Sequence, residues 1–276
     1  MTNLLFSTFD VPEAAISVTA TDADEANLVK SQTQPHWNAI GGERHSLVYL
    51  EDPAAATPAI IYDLGSDTTK SVNHLIVARA DLLSLSGVEH VYLDRSTDGS
   101  SWTNVIDVDS FSTLYGPNSH DLLSEITAST AYRYWRLRIT GSNEDEALVV
   151  FSKASFGTAF DMGVDVNDYL VRRIAPTPGA WISDAGVEYK NKTGEPQYFF
   201  RFVWRGVTNA NAQDFYNKVV RWSRVRPVFL YTPASGGRHE LLDTQRVIHA
   251  RLTEFERRIE TDDYNVINVA FTEVLG

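Results

Sequence analysis

Short runs of β-branched and aromatic residues, each broken within a few positions by Gly, Pro, Asp or Ser, narrow the folding options of this chain more than anything else in it. Ser46-Leu47-Val48-Tyr49-Leu50, Ala59-Ile60-Ile61-Tyr62, His74-Leu75-Ile76-Val77-Ala78, Val88-Glu89-His90-Val91-Tyr92-Leu93 and Tyr134-Trp135-Arg136-Leu137-Arg138-Ile139 have the length and residue types of strands. Tyr134, Arg136 and Arg138 alternate with Trp135, Leu137 and Ile139. Such a strand turns one face to a core and the other to water, as antiparallel sheets do. No helical period of useful length competes in the first half. The expected fold class is mainly β.

Length divides that expectation in two. The 276 residues exceed what one sandwich needs and suit two cores. With 43% hydrophobic and 22% charged residues and no charge blocks, the composition predicts folded structure throughout. Cysteine is absent, which excludes disulfides, zinc–thiolate sites, iron–sulfur clusters and thiol nucleophiles. Met1-Thr2-Asn3-Leu4-Leu5-Phe6 has neither the basic start nor the apolar length of a secretion signal, and no window reaches the ~20 apolar residues of a membrane span. The expectation is a protein made in a cytosol, without membrane insertion and without a cofactor.

The net charge of −12 is carried by one part of the chain. Residues 1–160 hold 9 Lys and Arg against 21 Asp and Glu, whereas residues 161–276 hold 15 of each. An acidic field repels phosphate backbones, and the neutral part has no basic stripe, so nucleic acid is not an expected partner.

The punctuation of the first half has an order of its own. Ile61-Tyr62-Asp63-Leu64-Gly65 precedes His74-Leu75-Ile76-Val77, then Ser96-Thr97-Asp98-Gly99-Ser100-Ser101-Trp102, then Ala131-Tyr132-Arg133-Tyr134-Trp135-Arg136-Leu137-Arg138-Ile139. Asp98-Gly99 reads as a tight hairpin turn, with Trp102 returning to the core and needing a partner for its indole N–H. Leu64 reads as core, Asp63 as a backbone acceptor and Gly65 as the end of a strand. This order resembles the discoidin or coagulation factor type C family, which is galactose-binding-like, over roughly residues 20–157. The resemblance implies a jelly-roll β-sandwich, placed here as a unit over 1–157. It also implies that any carbohydrate would be held by loops at one end of the sandwich, where His36, Trp37, Arg79, Tyr115 and His120 are the candidates. Asp22, Asp24 and Glu25 lie close together but lack the spacing of a calcium-ligand loop, so no metal site is expected.

The second half changes texture. A turn-rich stretch over 160–186 is followed by the aromatic strand Gln197-Tyr198-Phe199-Phe200-Arg201-Phe202-Val203-Trp204. A helix near 209–224 comes next, capped by Thr208 or Asn209, with Ala212, Phe215, Val219 and Trp222 as its apolar stripe and Pro227 as its stop. Strands are expected at Val228–Tyr231, 244–251 and Asn265–Val274. Thr253–Glu260, of alternating charge, reads as a strand edge or exposed hairpin that a neighbouring copy could pair with. The order of aromatic strand, helix, Pro227-Val228-Phe229-Leu230-Tyr231 and terminal Phe271-Thr272-Glu273-Val274-Leu275 resembles the ring-forming domain of phage tail-tube and distal tail proteins. That resemblance implies that 158–276 is a β-sandwich with one packed helix, assembling as a homo-oligomeric, hexameric ring.

No Gly-x-Ser-x-Gly elbow, phosphate loop or His-Glu-x-x-His motif is present, so an enzyme is not expected and no catalytic residue is assigned. Taken together, the expectation is a structural virion protein of a long-tailed bacteriophage: a distal tail or baseplate component at the tail tip, made in the host bacterial cytoplasm. Its partners would be other copies of itself, the tail tube and tail hub, and host surface glycans. The alternative is a carbohydrate-binding module or adhesin that recognises those glycans.

Overall fold

The computed structural model describes residues 4–7, 16–19, 48–51, 59–66, 68–78, 88–109, 122–127, 129–141, 148–151, 153–174, 180–182, 188–190, 197–223, 228–232 and 247–273. The fold is mainly β, with antiparallel pairing in every sheet. In chain order the first strands are β1 (Leu5–Ser7), β2 (Ile16–Thr19), β3 (Val48–Glu51), β4 (Ala59–Asp63), β5 (His74–Ala78), β6 (Val88–Ser96), β7 (Thr103–Val108), β8 (Leu122–Glu125), β9 (Tyr134–Gly141), β10 (Leu148–Phe151) and β11 (Lys153–Gly157). The remainder are β12 (Phe160–Asp161), β13 (Asp168–Ile174), β14 (Ala180–Ile182), β15 (Glu188–Lys190), β16 (Gln197–Thr208), helix α1 from Asn209 to Ser223, β17 (Val228–Tyr231), β18 (Val247–Ile259) and β19 (Tyr264–Glu273).

A five-stranded sheet β2-β4-β9-β6-β7 faces a three-stranded sheet β11-β5-β8. Period-two alternation makes the inner faces apolar: Trp135 and Leu137 of β9 are buried while Arg136 and Arg138 face outward. Phe156 of β11 closes the contact, 4.9 Å from the Tyr62 ring and 5.9 Å from Trp135. Leu64 is buried behind β4, and Asp63 accepts a hydrogen bond from the Gly65 N–H at 2.9 Å.

Trp102 departs from expectation. It lies half-exposed on the outer face, its ring under the Arg136 guanidinium at 4.5 Å. The cause is a bulge: the β6–β7 register passes from Leu93 opposite Ile106 to Asp94 opposite Asn104, and one extra residue turns every side chain before it to the other face.

The second sheet has the order β12-β1-β17-β18-β19-β16-β13. Its third-to-last strand, β19, and the aromatic β16 pair along nearly their whole length. Helix α1 covers one face, where Phe200, Phe202, Trp204, Phe215, Val219 and Phe271 form the core. Thr208 caps the helix, its Oγ1 accepting from the Asn211 N–H at 3.2 Å. The predicted stripe holds at Ala212, Phe215 and Val219, and Trp222, partly buried, also packs against this core; Tyr216–Val220 is a π-turn. The wider turn rotates the following residues, so Val220 and Ser223 are buried and Trp222 is only partly so. Pro227 lies outside the described residues. The segments expected separately at 244–251 and 253–260 are one strand, β18, bent by a bulge between Leu252 and Glu254, and its second half is exposed.

β1 corrects the expected division at 157/158. Although it opens the chain, it pairs with β12 and β17 in the second sheet. The sandwich is therefore inserted between two adjacent strands of the sheet-and-helix unit. Phe6 explains the arrangement: fully buried, it lies 5.2 Å from Phe215 and 5.9 Å from both Trp204 and Phe271. Replacing it should behave as a core deletion and not as trimming of a terminus. Phe6→Ala is expected to lower the unfolding free energy by about 3–5 kcal/mol, measured by urea denaturation; a change indistinguishable from wild type would refute the placement of β1.

Candidate functional site

Three polar assemblies stand out, and they differ in what they leave available. The first is on the outer face of the five-stranded sheet. Asp94, nearly inaccessible at 2% side-chain exposure, receives Arg136 at 2.7 Å and Arg138 at 3.0 Å, while Asn104 Nδ2 donates to its other oxygen at 3.3 Å. Trp102 covers Arg136, and Tyr92 lies 3.9 Å from the Arg138 guanidinium. Both Asp94 oxygens and the Nε and Nη2 groups of both arginines are engaged within this ladder, so it acts as a brace. Asp63 is engaged in the same way, by a bidentate contact from Arg133 at 2.6 and 2.8 Å.

The Ser96-Thr97-Asp98-Gly99 turn is likewise closed on itself. Asp98 Oδ1 accepts from the Ser100 and Ser101 N–H groups, each at 2.8 Å, and from Ser96 Oγ at 2.8 Å. Those backbone donors hold its carboxyl well below the usual range, although the side chain is fully exposed. Gly99, with φ +73°, supplies the left-handed turn, and a Cβ there would sit 3.2 Å from the Tyr134 ring. The motif that carries the family resemblance thus builds a hairpin.

The second assembly is buried where the sandwich meets the second sheet. Ser7 Oγ lies 2.6 Å from His74 Nε2 and 2.8 Å from Ser155 Oγ, and His74 Nδ1 lies 2.9 Å from Asn73 Oδ1. Asn73 Oδ1 also accepts from the Ala159 N–H at 3.1 Å, which identifies it as the amide oxygen. His74 therefore carries its proton on Nδ1, Ser7 donates to Nε2 and Ser155 donates to Ser7. The residue types are those of a serine nucleophile and its base, yet Ser7 and His74 are each 1% exposed and Ser155 is fully buried. No substrate reaches them. Burial, aided by nearby Lys70, pushes the His74 pKa down to about 3, so the imidazole is neutral and structural.

The third assembly is open. A cleft of about 1010 Å³ runs between the sandwich and helix α1. Lys70 and Thr158 line its sandwich side, Asn217, Lys218 and Arg221 its helix side, and Phe160 lies between them. Lys218 pairs with Asp214 at 2.8 Å. Aromatic rings beside amides, hydroxyls and guanidinium are groups that hold a polyhydroxylated ligand through stacking and hydrogen bonds.

Of the residues predicted from sequence, His36, Trp37, Arg79, Tyr115 and His120 all lie outside the described residues, as do Asp22, Asp24 and Glu25. Among the described residues no group of His, Asp and Glu could hold a metal ion, and no helix is long and apolar enough to cross a membrane. The cleft residues were missed because they come from three separate parts of the chain. The available signal was the polar face of the predicted helix, where Asn217, Lys218 and Arg221 stand opposite the apolar stripe.

No family model and no curated protein matches the chain. Solved structures do. Chitosan-binding module 1 of a chitosanase/glucanase from Paenibacillus sp. IK-5 is 14% identical with a TM-score of 0.36, covering 52% of this chain and 96% of that one. The CBM32-5 module from Clostridium perfringens, in complex with GalNAc-β-1,3-galactose, is 14% identical with a TM-score of 0.35, covering 54% and 99%. A fucosidase from Ruminococcus gnavus in complex with fucose is 13% identical with a TM-score of 0.39, covering 55% of this chain and 27% of that one. At these TM-scores the likeness assigns neither a ligand nor a site.

The buried histidine makes stability depend on pH. Its folded pKa of about 3 lies below the ordinary 6.5, so between those values the unfolded chain binds a proton that the folded chain does not. Stability from this group is complete above pH ~6.5 and declines toward pH ~3, by up to ~1.4 kcal/mol per pH unit. Urea titrations across that window should show a shallower pH slope for His74→Gln than for wild type; equal slopes would show that His74 titrates normally.

Proposed function

We propose that this is a non-catalytic structural protein of a long-tailed bacteriophage, a distal tail or baseplate component. In this reading its sheet-and-helix unit forms a hexameric ring at the tail tip and its sandwich stands outside the ring. One observation carries it. The exposed large apolar side chains among the described residues, Tyr169, Leu170, Tyr216, Ile259 and Tyr264, all belong to the sheet-and-helix unit. A neutral surface with exposed apolar groups suits self-association, whereas the acidic sandwiches repel one another and favour the periphery. Insertion of the sandwich between the neighbouring strands β1 and β12 supports the same geometry, since both crossings of the chain leave from one place. The motif order of the second half, which resembles tail-ring proteins, supplies the phage assignment. Tail tube and tail hub proteins are then the neighbours, and the protein is made in the host cytoplasm before incorporation into the virion.

The cleft favours a second reading, a carbohydrate-binding module or adhesin for host surface glycans, and a tail-tip protein could serve both ends. The two are tested separately on the full chain. Negative-stain microscopy and light scattering should show closed rings; a strict monomer at every soluble concentration contradicts the assembly reading. Calorimetric titration with host-surface oligosaccharides should show binding that Arg221→Ala weakens about tenfold, and absence of binding to any of them contradicts the glycan reading.

A further inference from the structure

We propose that the tip of the β18–β19 hairpin of one copy docks on the β13 edge of a second copy; this rests on the assembly reading and names its surfaces. β13 is the last strand of the seven-stranded sheet. Tyr169 and Leu170, adjacent and so on opposite faces, are 40% and 36% exposed, and the exposed Arg172 and Arg173 follow them. At the hairpin, Ile259 is 68% and Tyr264 47% exposed, and the exposed Glu260, Asp262 and Asp263 lie between them. This edge carries one apolar residue and one cation on each face, Tyr169 with Arg173 and Leu170 with Arg172. The hairpin likewise shows an apolar side chain on each face, Ile259 on one and Tyr264 on the other, with three carboxylates at the turn between them. Apolar contacts on both faces of an edge, beside charges of opposite sign on the two partners, are the complementarity that gives an interface its specificity.

The tip is held ready to dock. Asn265 Nδ2 donates to Asn209 Oδ1 at 2.9 Å, Arg257 Nε donates to Asn265 Oδ1 at 2.8 Å, and Asn209 Nδ2 donates to the Asp262 carbonyl at 2.7 Å. These bonds tie the hairpin to the start of helix α1, so docking costs little ordering of the chain.

The two patches of one molecule cannot meet. Tyr169 pairs with Phe202 and Tyr264 with Thr208, six residues further along β16, which separates them by roughly 20 Å along the sheet at ~3.3 Å per residue. The contact therefore joins different patches of different copies. Such a head-to-tail contact closes into a ring or extends as a filament, and does not stop at a dimer.

Charge exchange tests this on the full chain. The Arg172→Glu/Arg173→Glu variant and the Glu260→Lys/Asp262→Lys/Asp263→Lys variant alter only exposed side chains, and unchanged thermal unfolding will confirm that both remain folded. In analytical ultracentrifugation each variant alone should associate at least about tenfold more weakly than wild type. An equimolar mixture should recover assembly, because each altered patch then finds an altered partner. Wild-type association should also weaken with salt. If wild type assembles but the variants assemble equally well, or the mixture recovers nothing, the docking is refuted while the assembly reading stands. A wild type that stays monomeric refutes both.

Discussion

Phe6 sits where rings from distant parts of the chain meet, with Phe160, Trp204, Phe215 and Phe271 all within 6.5 Å, and the architecture depends on that contact. β1 has only three residues. Backbone hydrogen bonds contribute about 0.5–1.5 kcal/mol each, a sum comparable to the entropy of ordering three residues. Burial of a phenylalanine is worth about as much again, and it cannot be gained in solvent. The side chain anchors the strand, and the strand joins β12 to β17. Ser7, one residue on, then bonds to His74 and Ser155 of the sandwich. The same short segment thus completes one core and fastens the other unit to it.

The joint has two layers. Leu75, Val77 and Phe156 face the sandwich core, while Ile76 and Leu123 from the other face of the same sheet pack with Phe229, Tyr231 and Val247. Both faces of the three-stranded sheet are therefore covered, and the buried Ser7–His74–Asn73 chain of hydrogen bonds sits beside that apolar contact. A satisfied buried network of this kind fixes relative orientation more than it adds stability. The sandwich is thereby held in a fixed orientation on the sheet-and-helix unit.

Much of the fold was legible in local pattern. Period-two alternation gave β9 its buried Trp135 and Leu137, and the exposed half of β18 was readable from its alternating charges. Trp102 was misread because a bulge leaves no mark in hydrophobic alternation, and the burial of Val220 and Ser223 was hidden because a π-turn changes the helical period midway. The placement of β1 was not readable at all: pairing Leu5 with Tyr231 is a topological fact across most of the chain. The cleft was hidden for the same reason, since its residues come together only after the sandwich has been inserted. The loop residues His36, Trp37, Arg79, Tyr115 and His120 rest on residue type and family resemblance, and they belong to stretches outside the described residues.

The central claim is that the chain's first strand is an integral member of the second sheet. Native-state hydrogen exchange of the backbone amides tests it most directly. The account predicts that Leu5, Phe6 and Ser7 as a group exchange as slowly as Val228–Tyr231, through global unfolding. Exchange of those three amides at the rate of a frayed terminus, with β17 still protected, would contradict it.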